Sequence, residues 1–302
     1  MIVTQFPHPP SVRQAKVYQN FGKENILMYA EASEIAYMNI TTALSIKCAF
    51  GGQEIYEMGE APLAVDDSSF LVVNDQHTYS SYIQSHNTVS SFCLFFQKGL
   101  AESVYNDLIS GEEHGLDNPG HIRSHSIDFI EQFYRHDQSI TPLIMAAKNA
   151  LMSDALDQFW IDEHFYRIME QLLKLNIESS KEADALPYAK KSTRLELYKR
   201  IQRARNYIDS CIGEHLSLKQ IARTACLSEY HFLRAFKQVT GATPNQYITI
   251  QRLSKAKHLL KDHNQSIREV CLTVGFLNES SFTRLFKSYF GVTPSQYRAG
   301  ND

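Results

Sequence analysis

The chain has 302 residues, of which 43% are hydrophobic and 11% aromatic, so it is long enough for two domains with ordinary globular cores. Its net charge of −3 is unevenly distributed, because residues 190–302 carry 19 Lys and Arg against 8 Asp and Glu, and this basic excess indicates a polyanionic partner for one part of the chain only. The most apolar run, "FLVVN" from Phe70, is too short to cross a bilayer, and five scattered cysteines without C-x-x-C spacing argue against a disulfide framework or a zinc finger.

The first residues, "MIVTQFPHPP", lack the basic start and apolar centre of a secretory signal, so we expect a cytoplasmic protein without membrane contact. Strand signals begin at Ile26 and continue to about Gln97. Four segments there are rich in β-branched and aromatic residues, and Gly, Asp and Asn pairs such as Gly51-Gly52 separate them. Several short strands at about ten-residue spacing predict a small sandwich or barrel.

Two features of these strands bear on ligand chemistry. His77 and His86 lie apart, without the H-x-H pair and following Glu that would hold a metal on strands, so we expect neither a metal site nor a cofactor. Tyrosines on the strands fit a pocket for a sugar or an aromatic compound, or else ordinary cross-strand packing. These are Tyr29, Tyr37, Tyr56, Tyr79 and Tyr82.

Helices are predicted after the strands, at Gly99–Ser110, Ser126–His136, Thr141–Met152 and Ala155–Glu178, with residues 111–125 as a loop. Along the last helix, apolar residues alternate spacings of four and three, which is typical of a two-helix coiled-coil seam and so of a homodimer. The alternative is packing on the chain's own strands, which Met169 and Leu173 favour because they widen the stripe. The seam residues are Ile161, Phe165, Ile168, Leu172 and Leu175.

A polar stretch, "SSKEADALPYAKKST", separates the acidic part of the chain from the basic part. We therefore predict an N-terminal domain over residues 1–180, a linker over 181–193 and a helical domain over 194–302.

The basic part contains a duplicated unit. Residues 227–247 read "LSEYHFLRAFKQVTGATPNQY" and residues 277–297 read "LNESSFTRLFKSYFGVTPSQY", with eleven of 21 positions identical. The segments upstream, "LSLKQIARTACLS" and "QSIREVCLTVGFLN", also correspond, with one extra residue in the second copy. Each copy predicts a short helix, a tight turn, a second helix and a stop.

The ends of these helices are marked by residue type. Short polar residues predict the N-caps, and two of them, Ser217 and Ser266, are followed three positions later by Gln220 and Glu269, as in a capping box. A glycine predicts each left-handed stop, and Thr-Pro predicts the next helix start. The N-caps are Ser217, Ser228, Ser266 and Asn278, the stops Gly241 and Gly291, and the next starts Thr243-Pro244 and Thr293-Pro294. The helix from Pro244 to about Lys261 is predicted to be a rigid strut between the copies.

The second helix of each copy has an apolar face and a polar face, and we expect the polar face to point outward. Two short helix-turn-helix units joined by a strut are what an α-helical reader of DNA requires, with arginines reaching guanine and lysines reaching phosphates. The alternative is that the arginines only pair with surface acids. The outward residues are Tyr230, Leu233, Arg234, Lys237, Ser280, Thr283, Arg284 and Lys287.

The stretch from Arg194 to Arg298 resembles the DNA-binding domain of AraC/XylS-type bacterial transcription regulators, whose hallmark is this tandem unit and its ending, here "VGFLNESSFTRLFKSYFGVTPSQYR". The resemblance implies a two-domain α+β protein, in which a cupin-like small β-barrel with trailing helices precedes an all-α tandem helix-turn-helix domain. It implies base reading from positions that match Tyr230, Leu233 and Arg234, and Ser280, Thr283 and Arg284. Leu233 departs from the polar residue often found there and can contact only a thymine methyl group or a sugar edge.

The function that the resemblance implies is a cytoplasmic regulator, more often an activator than a repressor, with double-stranded DNA and RNA polymerase as partners. A small-molecule effector in the N-terminal domain would act by binding one arrangement of the protein better than another. One alternative is a ligand-independent regulator whose N-terminal part only dimerises or binds a protein. An enzyme is the other, and the sequence has no G-x-S-x-G, H-E-x-x-H or glycine-rich phosphate loop to support it.

Overall fold

The computed structural model describes residues 1–7, 19–58, 62–114, 127–130, 133–136, 138–152, 156–188, 190–261 and 265–300. The chain forms two compact units, Met1–Ala185 and Leu186–Asp302. The first combines a sheet with helices and the second is helical. No helix in the described ranges has the length and apolar character that crossing a membrane would require.

The first unit is built on an eight-stranded sheet. Its strands are β1 (Ile2–Val3), β2 (Ile26–Thr41), β3 (Ser45–Phe50), β4 (Glu54–Glu57), β5 (Pro62–Val65), β6 (Ser69–Val73), β7 (Thr78–Phe95) and β8 (Phe133–Arg135). The order is β1-β2-β7-β3-β6-β8, with β4 paired to both β5 and β7. The predicted strand segments on either side of residue 86 are one continuous strand, β7, which pairs along its length with β2.

The described strands follow an open path, because β1 and β8 stand at its two ends. The pairing of β2 with β7 slips twice, between Ala32 and Glu34 and between Tyr37 and Ile40. Such bulges bend a strand pair and increase its twist. The mixed fold with an N-terminal sheet is thus confirmed, whereas the closed cupin-like barrel stays a prediction.

The first unit also contains the helices α1 (Leu100–His114), α2 (Thr141–Met152) and α3 (Gln158–Asp184). Four of the predicted seam residues on α3 are at most 3% exposed and pack in one core with Phe92 and Leu94 of the sheet, and Leu175 packs against the same core. They are Ile161, Phe165, Ile168 and Leu172. These four residues are buried inside one chain, which is the alternative that Met169 and Leu173 favour. The predicted dimer seam is therefore wrong for them.

The predicted helix over Ser126–His136 is also wrong. Residues 127–130 are irregular and Phe133–Arg135 is strand β8, which pairs with β6. The Asn74 side chain holds the irregular segment, donating to the Phe129 carbonyl at 2.9 Å and accepting from the Phe129 N–H at 2.8 Å. Long-range pairing therefore overrides the local helical pattern.

Two predicted boundaries shift. Residues 111–114 of the predicted loop continue α1, and the rest of that loop lies outside the described residues. Residues 181–184 of the predicted linker belong to α3, where Ala183 is buried, and residues 191–193 begin the next helix, so the stretch between the helices is only 185–190. The roles assigned to the two domains stay predictions.

The second unit contains seven helices among its described residues. They are α4 (Lys191–Ser210), α5 (Leu218–Thr224), α6 (Glu229–Thr240), α7 (Pro244–Leu259), α8 (Ile267–Thr273), α9 (Glu279–Phe290) and α10 (Pro294–Ala299). Helices α5 and α6 form the first helix-turn-helix and α8 and α9 the second. The predicted caps are confirmed: each N-cap side chain accepts a first-turn N–H, and Gly241 and Gly291 end their helices with φ of 73° and 81°.

Helix α7 serves both helix-turn-helix units. Tyr247 and Ile248, near its start, pack in the core that contains α5 and α6. Leu253 and Ala256, further along, pack in the core that contains α8 and α9. Because one continuous helix is buried in both cores, the two units cannot turn independently without exposing apolar surface.

Candidate nucleic-acid interface

Helix α6 presents the predicted outward face to solvent. Its buried side is formed by Phe232, Ala235 and Phe236. On the opposite side Tyr230 is 73% exposed and Leu233 is 39% exposed, and Arg234 and Lys237 are also exposed. The amphipathic spacing therefore orients this helix as predicted.

Helix α9 repeats the arrangement with one difference. Phe282 and Phe286 are fully buried, and Ser280, Arg284 and Lys287 are exposed. Thr283 is half-buried, so it offers less of its side chain to a partner than Leu233 does at the matching position of α6.

The two central arginines make no hydrogen bond or ion pair with another side chain or carbonyl of the described residues. Within the ranges that the structure describes, no carboxylate or carbonyl lies in hydrogen-bond or ion-pair contact with the side chain of Arg234 or Arg284. Arg200, by contrast, donates to Glu196 at 2.9 Å and to the Cys226 carbonyl at 3.4 Å. Pairing of these two arginines with surface acids is therefore not observed among the described residues, and their guanidinium donors face solvent there.

Arg252 joins the two helix-turn-helix units. From α7 its guanidinium donates to the Ile212 carbonyl at 3.0 Å and to the Glu214 carbonyl at 2.7 Å, in the segment after α4. The same guanidinium lies over the Phe276 ring at 5.9 Å and fills the space beside Gly275, where an added Cβ would lie 2.8 Å from it. One side chain thus fixes the turn of the second unit against the first, and nothing in the sequence pattern indicated this role.

The extra residue of the second copy can now be located. Leu227 N–H donates to the Ala222 carbonyl at 3.0 Å, and Phe276 N–H donates to the Cys271 carbonyl at the same distance. The turns match up to that bond, and Leu277 is then added before the N-cap of α9. It is 94% exposed, so the insertion leaves the core unchanged.

A second candidate site lies inside the sheet of the first unit. A cavity of about 30 Å³ is walled by aromatic and apolar side chains and also by several polar ones. Lys47 and Glu54 are 1% and 4% exposed. The polar and titratable wall residues are Thr42, Lys47, Glu54, Tyr56, Tyr79, Ser81 and Cys93.

Burial raises the pKa of the Tyr56, Tyr79 and Cys93 side chains, so these groups are neutral near pH 7. Burial also raises the pKa of Glu54, against hydrogen bonds led by that from Ser91 Oγ at 2.7 Å. For the Lys47 amine, burial lowers the pKa, whereas Tyr79 and Cys93 in their ionised forms, a hydrogen bond with Tyr79 and the charge of Glu54 raise it, and the pKa lies above its ordinary value overall. Lys47 is therefore a buried cation.

The N-terminal segment separates this cavity from the surface. Phe6 and Pro7 line the cavity and also line a surface groove of about 390 Å³ beside β2. Tyr37 Oη donates to the Pro7 carbonyl at 2.6 Å and holds the segment in place.

Of the predicted pocket tyrosines, three line the inner cavity and Tyr29 lines the surface groove, whereas Tyr82 lines neither. Sequence reasoning missed Lys47 and Glu54. The signal was present, because Lys47 is the one charged residue in the otherwise apolar strand "SIKCAF". His77 and His86 take part in no cluster, since no three His, Cys, Asp or Glu side chains of the described ranges are grouped to hold a metal.

Comparisons with known proteins agree with the geometry of the second unit. The family model described as "Helix-turn-helix domain" matches residues 221–300. The HTH-type transcriptional activator Btr of Bacillus subtilis is 30% identical over 88 residues, which cover 29% of this chain and 17% of Btr. A crystal structure of a transcriptional regulator from Chromobacterium violaceum, titled as having an AraC-type DNA-binding domain, is 30% identical, covering 34% of this chain and 91% of that chain at a TM-score of 0.33. Residues 221–300 of the chain are thus a helix-turn-helix domain of the AraC type.

The AraC-type likeness is strongest over the second unit. A longer match, to the uncharacterized HTH-type transcriptional regulator YbfI of Bacillus subtilis, is 23% identical over 236 residues, 74% of this chain and 75% of that protein. The chain spans 17% to 30% of the length of the first three curated relatives that it matches. The AraC-type helix-turn-helix pair is therefore the shared part.

Proposed function

We propose that this AraC-type chain is a sequence-specific transcription regulator that reads double-stranded DNA through α6 and α9. The observation that carries the proposal is the unpaired exposure of Arg234 and Arg284 on two helices that α7 ties together. The major groove is roughly 12 Å wide and admits an α-helix, and a guanidinium pairs with the two acceptors of guanine. Lys237 and Lys287, one turn further along, contact phosphates.

The remaining outward residues have smaller roles in this proposal. Tyr230 and Leu233 make apolar contacts with bases, and Leu233 is suited to a thymine methyl group. Ser280 and Thr283 are short, and Thr283 is half-buried, so α9 reads fewer bases than α6 and relies more on phosphate contacts.

The regulator is proposed to act in the cytoplasm as an activator, with RNA polymerase as its protein partner. The activator assignment is supported by the name of Btr, a transcriptional activator. A homodimer, if formed, uses a surface other than the predicted seam, because those α3 residues are buried within one chain.

The first unit is proposed to be a cupin-like effector domain. The inner cavity, with its buried polar groups and aromatic wall, supports this role. An effector bound there changes DNA binding only to the extent that it prefers one arrangement of the protein.

Sequencing the DNA that the full chain retains from its own genome tests the reading function. We expect retained fragments to share a motif of two short blocks whose centres lie about one helical turn apart, because two helices read one face of the duplex. The double variant Arg234→Ala, Arg284→Ala is the control and should retain DNA without the motif. Retention by the unaltered chain without any shared motif would contradict sequence-specific reading.

A ligand-independent regulator is the second candidate, and the small volume of the inner cavity favours it. About 30 Å³ is the space of a water molecule or two and not of a metabolite. A thermal-shift screen of the full chain against carbon-source metabolites separates the two candidates. A shift with one metabolite supports effector control, and no shift with any of them favours the second candidate.

A further inference from the structure

Lys47 is a buried charge that DNA reading does not use. It lies in the middle of β3, and its Nζ is 3.9 Å from the centre of the Phe95 ring and 5.1 Å from that of Tyr79. Removing an ammonium group from water costs several kcal/mol unless an opposite charge compensates it. The charge of this lysine, which is buried against aromatic rings, therefore requires a compensating group.

The neighbouring groups compensate this charge incompletely. Tyr79 and Cys93 are neutral near pH 7, so among the described residues of the cavity wall Glu54 is the acid that can carry a negative charge. Glu54 acts on Lys47 through its charge and not through a hydrogen bond, and burial favours its protonated form. An ammonium has three N–H donors, and Tyr79 is the hydrogen-bonding side chain that acts on it.

Ser45 adds a second polar group that lacks a partner. Its hydroxyl is fully buried and has no hydrogen bond among the residues that the structure describes. Because side chains alternate along a strand, Ser45 and Lys47 lie on the same face of β3. Unsatisfied buried hydroxyls are uncommon in folded proteins, so this one is a second buried polar group on that face that calls for an explanation.

We propose that the effector of the first unit is a small acid, whose carboxylate pairs with Lys47 and whose apolar body packs against the aromatic wall of the cavity. This assignment rests on the proposed effector control. Charge-assisted hydrogen bonds between an ammonium and a carboxylate are about twice as strong as neutral ones, and they strengthen away from water.

Glu54 does not serve as the anchor for an amine. Its carboxylate already accepts the Ser91 hydroxyl at 2.7 Å, and Tyr56 and Ser81 also donate to it. A ligand ammonium would therefore find these acceptor positions taken, and it would be repelled by Lys47. The site selects an acid over an amine or a zwitterion.

Room for the apolar body exists on the other side of the N-terminal segment. Phe6 and Pro7 line both the inner cavity and the surface groove of about 390 Å³. Displacement of these two residues joins the spaces into one of the size that small-molecule sites occupy, about 300–1,000 Å³. The bond from Tyr37 to the Pro7 carbonyl is then the contact that ligand entry must break.

Calorimetric titration of the full chain with phenylacetate, phenylacetamide and 2-phenylethylamine tests the proposal, because the three probes share a ring and differ in charge. We expect phenylacetate to bind about tenfold to a hundredfold more tightly than the other two. Lys47→Met should remove that preference, and Glu54→Gln should strengthen phenylacetate binding because it removes a repelling charge. Fluorescence of Trp160, the single tryptophan, checks that each variant keeps the first unit folded.

Each result decides the matter. Equal binding of the amide or the amine, no binding of phenylacetate, or unchanged binding by a folded Lys47→Met variant overturns the proposal. If Lys47→Met does not fold, weaker phenylacetate binding by Glu54→Gln overturns it. Retention of the shared DNA motif by the unliganded chain is measured separately, so failure of the acid site leaves the reading function standing.

Discussion

Cys226 and Gly275 hold the same position in the two helix-turn-helix turns, and both have a positive φ, 51° for Cys226 and 87° for Gly275. Each precedes the residue whose N–H closes the turn, Leu227 in the first copy and Phe276 in the second. A left-handed conformation costs a residue with a Cβ about 1–2 kcal/mol, whereas glycine adopts it freely. The first turn therefore stores backbone strain that the second turn avoids.

Replacing Cys226 by Gly should relieve this strain. The side chain of Cys226 is exposed, so little packing is lost, and we expect the free energy of unfolding of the second unit to rise by about 1 kcal/mol. Urea unfolding followed by far-ultraviolet circular dichroism reports the helices of both units, and Trp160 fluorescence identifies the transition of the first, so the remaining change belongs to the second. A decrease in the midpoint of the helical transition would contradict the strain.

The reverse change, Gly275→Ala, is the matched test at the second turn. An added Cβ would be strained at φ 87° and would also lie 2.8 Å from the Arg252 guanidinium, which two carbonyls hold in place. We expect a loss of at least about 1–2 kcal/mol in the same unfolding measurement. A loss no larger than that of an exposed-surface substitution would mean that Arg252 moves aside easily.

The sequence predicted the second unit well because its signals are local. Caps such as Ser217 and stops such as Gly241 act within one turn of helix, and the amphipathic spacing places Phe232 inside and Arg234 outside. Arg252 was missed because its role depends on residues far from it in the chain. Its carbonyl partner at Ile212 lies forty residues earlier, and the turn at Gly275 that it packs against lies later in the chain. Contacts between residues far apart in the chain produce no periodic pattern in the sequence.

The first unit was predicted less well for the same reason. Strand β8 was taken for a helix because its pairing with β6 and the Asn74 bonds to Phe129 are long-range. The apolar residues along α3 have a spacing that fits a coiled coil and a buried helix equally. Their contact with Phe92 and Leu94 of the sheet, which the sequence does not reveal, shows that the helix is buried. The burial of Lys47 was not predicted because one lysine in a strand is typical of a surface residue until its neighbours are known.

Arg252→Met should loosen the second unit. Methionine keeps much of the apolar stem but loses the donors to the Ile212 and Glu214 carbonyls, at a cost of about 1–3 kcal/mol. We expect a lower midpoint in the circular dichroism transition. Relative to the unaltered chain, the variant should lose more affinity for a two-block DNA site than for a single block. Arg252→Lys is the control, since it keeps the charge and loses the fork geometry of the guanidinium. Its unfolding midpoint should lie between those of the unaltered chain and the methionine variant. Unchanged stability in the methionine variant would remove Arg252 from this role.

Arg234→Ala and Arg284→Ala should each blur one base preference. If each guanidinium pairs with a guanine, the loss is about 1–3 kcal/mol on the cognate site, and the two affected base steps lie in different blocks of the motif. Affinity measured over a set of single-base variants of the site locates each step. Arg203→Ala is the matched control, because Arg203 is exposed on α4 outside the predicted reading faces and its loss should change no base preference. Equal losses on random DNA would reassign Arg234 or Arg284 to phosphate contact.

Lys237→Ala should weaken DNA binding uniformly, because Lys237 lies one turn beyond Arg234 on the exposed face of α6 and is proposed to contact a phosphate. Each phosphate contact contributes about one unit to the slope of log affinity against log salt concentration, through released counterions. The variant should therefore lower the magnitude of that slope by about one on cognate and random DNA alike. Lys181→Ala removes the same charge from an exposed position on α3 of the first unit and should leave the slope unchanged. A slope that stays constant in the Lys237 variant would place this lysine outside the interface and restrict the α6 contact to its first turns.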